Sequence, residues 1–360
     1  MILPNLLATV GNTPVVRLAS LSRRAECSVF AKLEFFNPGR SVKDRIALNI
    51  IERAEERGAL RQDATVIESS SGNTGIGLSI VCRVKGYGNV VVVDQNCPAE
   101  KLKLLRALGA TVFMLRSKRD VGADLTQSRI RFIAELRQFI EGAFVPNQYE
   151  NPDAPDAHYR GTAGEIIEFI EKQGARVAAV LISVGTGGTI TGVSRRLKEY
   201  DPRIRSIGVE PVGSTLFGGE KGPYLQQGPG NYFIPKNLCH EHIDMGVKVS
   251  DRDAFNTCRR VALEEGMLLG GSAGAVLHHA RELATKLSGD VLCVLADSGE
   301  KYLDTIYSDE WLVQNGIVLD DDLANPTHMV DLDGPVDHRG LARLISSPRR
   351  SAAVVTAETA

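Results

Sequence analysis

Val177-Ala178-Ala179-Val180-Leu181-Ile182-Ser183-Val184-Gly185-Thr186-Gly187-Gly188-Thr189-Ile190 runs from an unbroken apolar segment straight into a glycine-rich turn. An apolar run without alternation is the pattern of a strand buried on both faces, which is how strands sit in parallel sheets covered by helices. The glycines let backbone N–H groups converge, and the helix that follows adds partial positive charge, so Gly185 to Thr189 can hold an anion such as a phosphate. The dinucleotide fingerprint needs Gly or Ala at its sixth position, and Ile190 stands there, so a nicotinamide-dependent oxidoreductase does not fit.

The same rhythm extends outward in both directions. Strands are predicted at Thr65 to Ile67, Val90 to Val93, Val112 to Leu115, Val180 to Ser183, Ile207 to Glu210 and Val291 to Leu295. Helices are predicted between them at 43–57, 99–108, 164–172, 189–199 and 253–265. Strands alternating with helices predict parallel βαβ units and an α/β fold. Two such stretches lie on either side of Glu150-Asn151-Pro152-Asp153-Ala154-Pro155-Asp156, where we place the principal boundary. The chain then divides into 1–149, 150–316 and an appendage 317–360, with part of 12–36 able to cross to the other domain.

The chain has 360 residues, 43% hydrophobic and 24% charged, which is enough for two medium domains with sizeable cores. A formal charge of -2 provides no basic field for nucleic acid. No apolar stretch is long enough to cross a bilayer. Met1-Ile2-Leu3-Pro4-Asn5 lacks a basic start and a cleavage site, and the six scattered cysteines have no metal-ligand spacing, so free thiols and a cytoplasmic location are expected.

Two further segments carry chemistry. In Asn37-Pro38-Gly39-Arg40-Ser41-Val42-Lys43-Asp44-Arg45, a lysine stands where a turn meets an amphipathic helix. The helix N-terminus and Arg45 both disfavour a charged amine there, which favours a nucleophilic one. A lone lysine in such a place is ordinarily a solvated helix residue. Ser69-Ser70-Ser71-Gly72-Asn73-Thr74-Gly75 lies between a strand and a helix, and its hydroxyls and exposed amides can hold a carboxylate.

Together the lysine segment, the Asn73 loop and Gly185 to Thr189 closely resemble the cysteine synthase/cystathionine β-synthase family, over roughly Leu7 to Leu312. Arg40 stands where that family has a second glycine, and Ser70 where cysteine synthases commonly have threonine. The resemblance implies two three-layer α/β domains, a homodimer, and pyridoxal 5'-phosphate bound to Lys43. It further implies that Gly185, Thr186, Gly187, Gly188 and Thr189 hold the cofactor phosphate, Asn73 its ring oxygen, and Ser272 of Gly270-Gly271-Ser272-Ala273-Gly274 its pyridine nitrogen. A neutral hydroxyl at that nitrogen suits elimination and replacement at Cβ. Ser70, Ser71, Thr74 and Gln148 are implied to bind the substrate carboxylate. Asp297 follows a strand in a segment similar to the family's closing turn, but Ser272 is the better match to the nitrogen partner.

The implied reaction is β-replacement on an O-activated L-serine through an α-aminoacrylate intermediate, with Lys43 moving the Cα proton. Val92-Val93-Asp94, Gly213 to Gly218 and Tyr302 to Leu312 look most like the branch that makes 2,3-diaminopropionate for siderophores from O-phospho-L-serine and L-glutamate. Cysteine or S-sulfocysteine synthesis with sulfide or thiosulfate is the alternative. A catalytically silent binding paralogue is the alternative of another class, and intact Lys43, Asn73 and Ser272 weigh against it. Arg160, Lys221 and Lys301 are candidate cations for a substrate phosphate or second carboxylate. Cys239-His240-Glu241-His242 is not expected to bind a metal, because adjacent residues rarely converge on one ion. Cys97 is expected to be a structural thiol.

Overall fold

Ala179 and Leu181 of the quoted strand enter one core while Val180 and Ile182 enter another, which is why the run shows no alternation. In the computed structural model, which describes residues 2–22, 27–117, 125–320 and 322–323, this strand lies in the middle of a sheet. The described strands are β1 (Val15–Arg17), β2 (Val29–Leu33), β3 (Thr65–Ser69), β4 (Gly88–Asp94), β5 (Thr111–Leu115), β6 (Val177–Ser183), β7 (Arg205–Pro211), β8 (Met245–Val249) and β9 (Asp290–Leu295). One sheet has the order β1-β2-β9-β6-β7-β8 and the other β3-β4-β5. All pairings are parallel except β1 with β2. The α/β reading therefore holds.

The early strands β1 and β2 belong to the sheet of the late strands: β2 pairs with β9, Val29 opposite Val291. The Pro- and Asp-rich segment forms the short helix Asp153–Ala157, whose Ala154 and Ala157 pack on Ile46 and Ile50 of the helix Lys43–Glu56. Most of 317–360 lies outside the described residues. Its first part continues the core, with Ile317 and Leu319 packed on the cluster around Phe255 and Leu312.

The helix Lys43–Glu56 joins the two sheets. Ala47, Ile51 and Ala54 lie on its apolar face and enter the core of β3-β4-β5. Its first turn is tied the other way. The Val42 N–H donates to Ala296 O at 2.8 Å, just beyond β9. Arg45 donates from Nε and Nη2 to Glu34 (2.6 and 2.9 Å) and from Nη1 and Nη2 to Glu165 (2.6 and 2.7 Å). Glu165 also takes Lys32 Nζ at 2.6 Å and the N–H groups of Asn12 and Thr13. Lys32 and Glu34 are fully buried.

Burial alone would raise the Glu165 carboxyl, but the hydrogen bonds and charge of Arg45 and Lys32 outweigh it and hold the group at about 2. A depressed carboxyl contributes stability above its ordinary value of 4.5, and that contribution disappears as pH falls towards 2. Glu165→Ala leaves buried Lys32 without a carboxylate and Arg45 with Glu34 alone. It is expected to cost about 3–5 kcal/mol in urea unfolding at pH 7, with much less difference from wild type below pH ~3.

Candidate active site

Lys43 opens its helix at the seam between the sheets. The turn before it closes through Arg40 N–H to Asn37 O at 2.9 Å, and Arg40 adopts φ +58, the left-handed conformation that a glycine takes without strain. Ser41 Oγ accepts the Lys43 N–H at 3.2 Å. Asp44 turns back, and its Oδ2 accepts the Gly39 N–H at 2.5 Å. Lys43 Nζ has no hydrogen bond or ion pair among the described residues. Burial lowers its pKa, and Asp297 opposes the shift.

Lys43 lines a small cavity of about 40 Å³ with Asn73, Gly185, Thr189, Ser272 and Asp297. It shares that position with an adjoining cavity of about 640 Å³, lined by the Ser69–Thr74 loop, Gln148, Gly185, Thr186 and the 223–232 segment. Lys43, Ser70, Ser71, Asn73, Thr74, Gln148, Gly185, Thr186, Thr189 and Ser272 therefore converge on one cleft, at the carboxyl ends of β3, β6 and β9.

At the end of β6, Gly187 has φ +87 and precedes the helix Gly188–Tyr200, whose N-terminus no side chain caps. A Cβ on Gly187 would lie 2.6 Å from Leu238 Cα, so only glycine fits. The exposed first-turn amides and the helix dipole form an anion cup. Thr189 Oγ1 lies 3.2 Å from His158 Nε2, and His158 Nδ1 lies 2.9 Å from Thr162 Oγ1. His158 begins a π-helical turn, His158–Thr162, and burial, with Lys43 and Arg45 nearby, drives its pKa well below 6.5. It stays neutral and orients the Thr189 hydroxyl.

Opposite, Ser70 Oγ accepts from the Gly72 and Gly75 N–H groups at 3.3 and 3.0 Å, which leaves its own proton free to donate. Thr74 Oγ1 donates to Gln148 Oε1 at 2.7 Å, and Gln148 Nε2 donates to Ser69 O. Asn73 is held at both ends: Nδ2 donates to Asp297 Oδ2 at 2.7 Å, and Oδ1 accepts from Lys301 Nζ at 2.8 Å. Asp297 Oδ2 also accepts from Tyr302 OH at 2.6 Å. Ser272 is buried at the start of the helix Gly271–Ala284, and its hydroxyl has no protein hydrogen bond among the described residues.

Neither Arg160 nor Lys221 lines either cavity. Arg160 is exposed and pairs with Asp156, Lys221 lies over the Tyr232 ring, and Lys301 is spent on Asn73 and the carbonyls of Gly39 and Arg40. The cations that line the larger cavity are Lys43, Lys101 and Arg129. Arg129 donates to Ser71 Oγ at 2.5 Å and faces Asp94 at 3.3 Å, so it fixes the carboxylate loop from behind. The sequence offered one signal for them: each sits in the first turn of a helix that opens beside the cleft, Ala99–Ala107 and Thr126–Leu136. Burial pushes the Cys97 thiol up to about 11, as a structural thiol requires. Among the described residues no group of three His, Cys, Asp or Glu side chains could hold a metal ion, and no helix is long and apolar enough to cross a membrane.

Residues 6–297 match the family model of pyridoxal-phosphate-dependent enzymes. A cystathionine beta-synthase of Dictyostelium discoideum is 39% identical over 88% of this chain, which spans 64% of that relative's length. A probable cysteine synthase of Bacillus subtilis is 42% identical over 84% of this chain and 97% of its own. The crystal structure of an O-acetylserine-dependent cystathionine beta-synthase from Helicobacter pylori is 35% identical, with a TM-score of 0.79 over 86% of this chain and all of that one. The chain belongs to the pyridoxal-phosphate-dependent enzyme family, within its cysteine synthase and cystathionine β-synthase group. It is an enzyme, and its cofactor is pyridoxal 5'-phosphate.

The residues present fit that cofactor: among the described residues, the Lys43 amine without a hydrogen bond, the uncapped helix N-terminus at Gly187–Thr189 and the unpartnered Ser272 hydroxyl face one cavity. Gly187→Ala is expected to strain the cup by about 1–2 kcal/mol from the left-handed backbone alone. The Leu238 clash adds to this. Thermal unfolding and the ratio of cofactor absorbance to protein check it: both melting temperature and bound cofactor fall.

Proposed function

We propose that this protein replaces the leaving group at Cβ of an O-activated L-serine, with O-phospho-L-serine as first substrate and L-glutamate as the incoming nucleophile. The observation that carries the replacement reading is the free Lys43 amine facing Ser272, Asn73 and the anion cup within one cavity.

Lys43, the Gly185–Thr189 cup, Asn73 and Ser272 hold the cofactor. Bound there, pyridoxal phosphate supplies the electron sink that acidifies Cα of an amino acid. The Ser70 and Ser71 hydroxyls, with the backbone N–H groups of Ser71, Asn73 and Thr74, hold the α-carboxylate, while Thr74 Oγ1 with Gln148, and Arg129, fix that loop. Burial lowers the Lys43 pKa and so disfavours its charged form, which suits an amine that takes the Cα proton and returns it. Asp297, on the same cavity wall, has Oδ2 committed to Asn73 and Tyr302. Ser272 is the neutral partner for the ring nitrogen.

A family-type homodimer, with each active site inside one subunit, is part of the same reading. Cysteine or S-sulfocysteine synthesis is the second reading, supported by the likeness to the Bacillus subtilis relative.

Visible absorbance of the holoenzyme tests this. O-phospho-L-serine alone is expected to change the cofactor band, and glutamate to restore it. Restoration by sulfide, with O-acetyl-L-serine as the better first substrate, selects cysteine synthesis. Lys43→Ala is expected to lower turnover by about 10²–10⁴-fold or more, the usual scale for losing a proton-transfer group. No band change with either serine ester overturns β-replacement.

A further inference from the structure

Cationic side chains outnumber carboxylates in the lining of the outer cavity. Three cations line it, Lys43, Lys101 and Arg129, against one acidic side chain, Asp94. Asp94 faces Arg129 at 3.3 Å, and Lys43 would be the residue that holds the cofactor. Lys101 is left over. It is only 3% exposed, and no carboxylate lies within ion-pair distance of it among the described residues.

Its polar contacts are weak substitutes. Nζ donates to Gln227 Oε1 at 2.8 Å and approaches Tyr302 OH at 3.5 Å, with the Tyr302 ring centroid 4.8 Å away. Burial, partly offset by Asp297, brings its pKa down to about 8, so it remains mostly charged at neutral pH. A buried cation without a counter-ion is costly to retain unless a ligand completes it. Lys101 lines the same cavity as the α-carboxylate loop but makes no hydrogen bond to it among the described residues. It projects from the helix Ala99–Ala107 towards Gln227 and Tyr302 of the other layer.

We propose that Lys101 is the specificity-determining cation of this pocket, receiving a substrate oxyanion other than the α-carboxylate. Two groups carry that chemistry: the phosphate of the leaving group and the side-chain carboxylate of the incoming nucleophile. Either one ion-pairs with Nζ by displacing the amide of Gln227. The proposal rests on the β-replacement reading.

Stopped-flow absorbance of the holoenzyme separates the two half-reactions. Wild type, Lys101→Met, Lys101→Gln and Lys101→Arg are mixed first with O-phospho-L-serine or O-acetyl-L-serine, then with L-glutamate or sulfide. The cofactor band of each resting variant shows that it has folded and loaded, and Lys101→Gln keeps a hydrogen-bond donor should Lys101→Met fail to load. Removing the charge is expected to raise the half-saturating concentration of phosphoserine or of glutamate by about tenfold or more, the scale of one charge-assisted bond. Acetylserine and sulfide, which carry no such oxyanion, are expected to be unchanged, and Lys101→Arg to recover most of the loss. A selective loss for phosphoserine assigns the leaving group; a selective loss for glutamate assigns the nucleophile. Equal effects on all four compounds, or none, overturn the proposal. A wild-type band that no serine ester changes overturns the β-replacement reading itself and takes this proposal with it.

Discussion

The site depends on one buried contact, the grip of Arg45 on Glu34 and Glu165. Arg45 lies two residues after Lys43, on a helix whose apolar face belongs to the β3-β4-β5 layer. Its two carboxylate partners belong to the other layer, Glu34 just after β2 and Glu165 on the helix Ala163–Gln173. A buried ion cluster is a poor source of net stability, because desolvation consumes most of the attraction. It is demanding about geometry, since any displacement leaves a charge unpaired. The cluster therefore sets where the helix begins, and with it how far the Lys43 amine lies from the cup at the end of β6.

The electrostatics of the cleft follow from that placement. Burial favours a neutral Lys43, while Asp297 favours a charged one. Asp297 is held in turn by the Asn73 amide and the Tyr302 hydroxyl on Oδ2. His158 adds no cation, because burial keeps it neutral beside Thr189. An amine whose charged form is disfavoured by burial and favoured by a nearby carboxylate suits a group that must both take a proton and give it back.

Legibility in the sequence tracked how local each signal was. β4, β6 and β9 were readable because burial on both faces leaves continuous β-branched runs. The cup and the lysine turn were readable because each is one contiguous segment with its own backbone logic. β2 was missed: its Lys32 reads as solvent-facing, and only Glu165, 133 residues away, makes its burial tolerable. β8 was missed because Met245 and Gly246 are exposed at a sheet edge and carry no strong pattern. Arg129, Lys101 and His158 acquire meaning only through tertiary neighbours. Of the cations singled out instead, Arg160 and Lys221 carry charge but lie outside the cleft, and Lys301 is committed to Asn73 beside it.

Asn73 shows how the cleft divides its labour. Its carbonyl oxygen accepts from Lys301, and one of its two amide hydrogens goes to Asp297, leaving one donor for the cofactor side. The loop around it must then hold a carboxylate with hydroxyls and backbone amides, groups that any α-amino acid satisfies equally. Discrimination between second substrates cannot come from there. On the proposed reading it falls to Lys101, where the helix Ala99–Ala107 meets Gln227 and Tyr302 and no carboxylate lies within ion-pair distance among the described residues. A fold that fixes its chemistry with one set of residues and chooses its substrate with another can change reactants while the lysine, the cup and the carboxylate loop stay as they are.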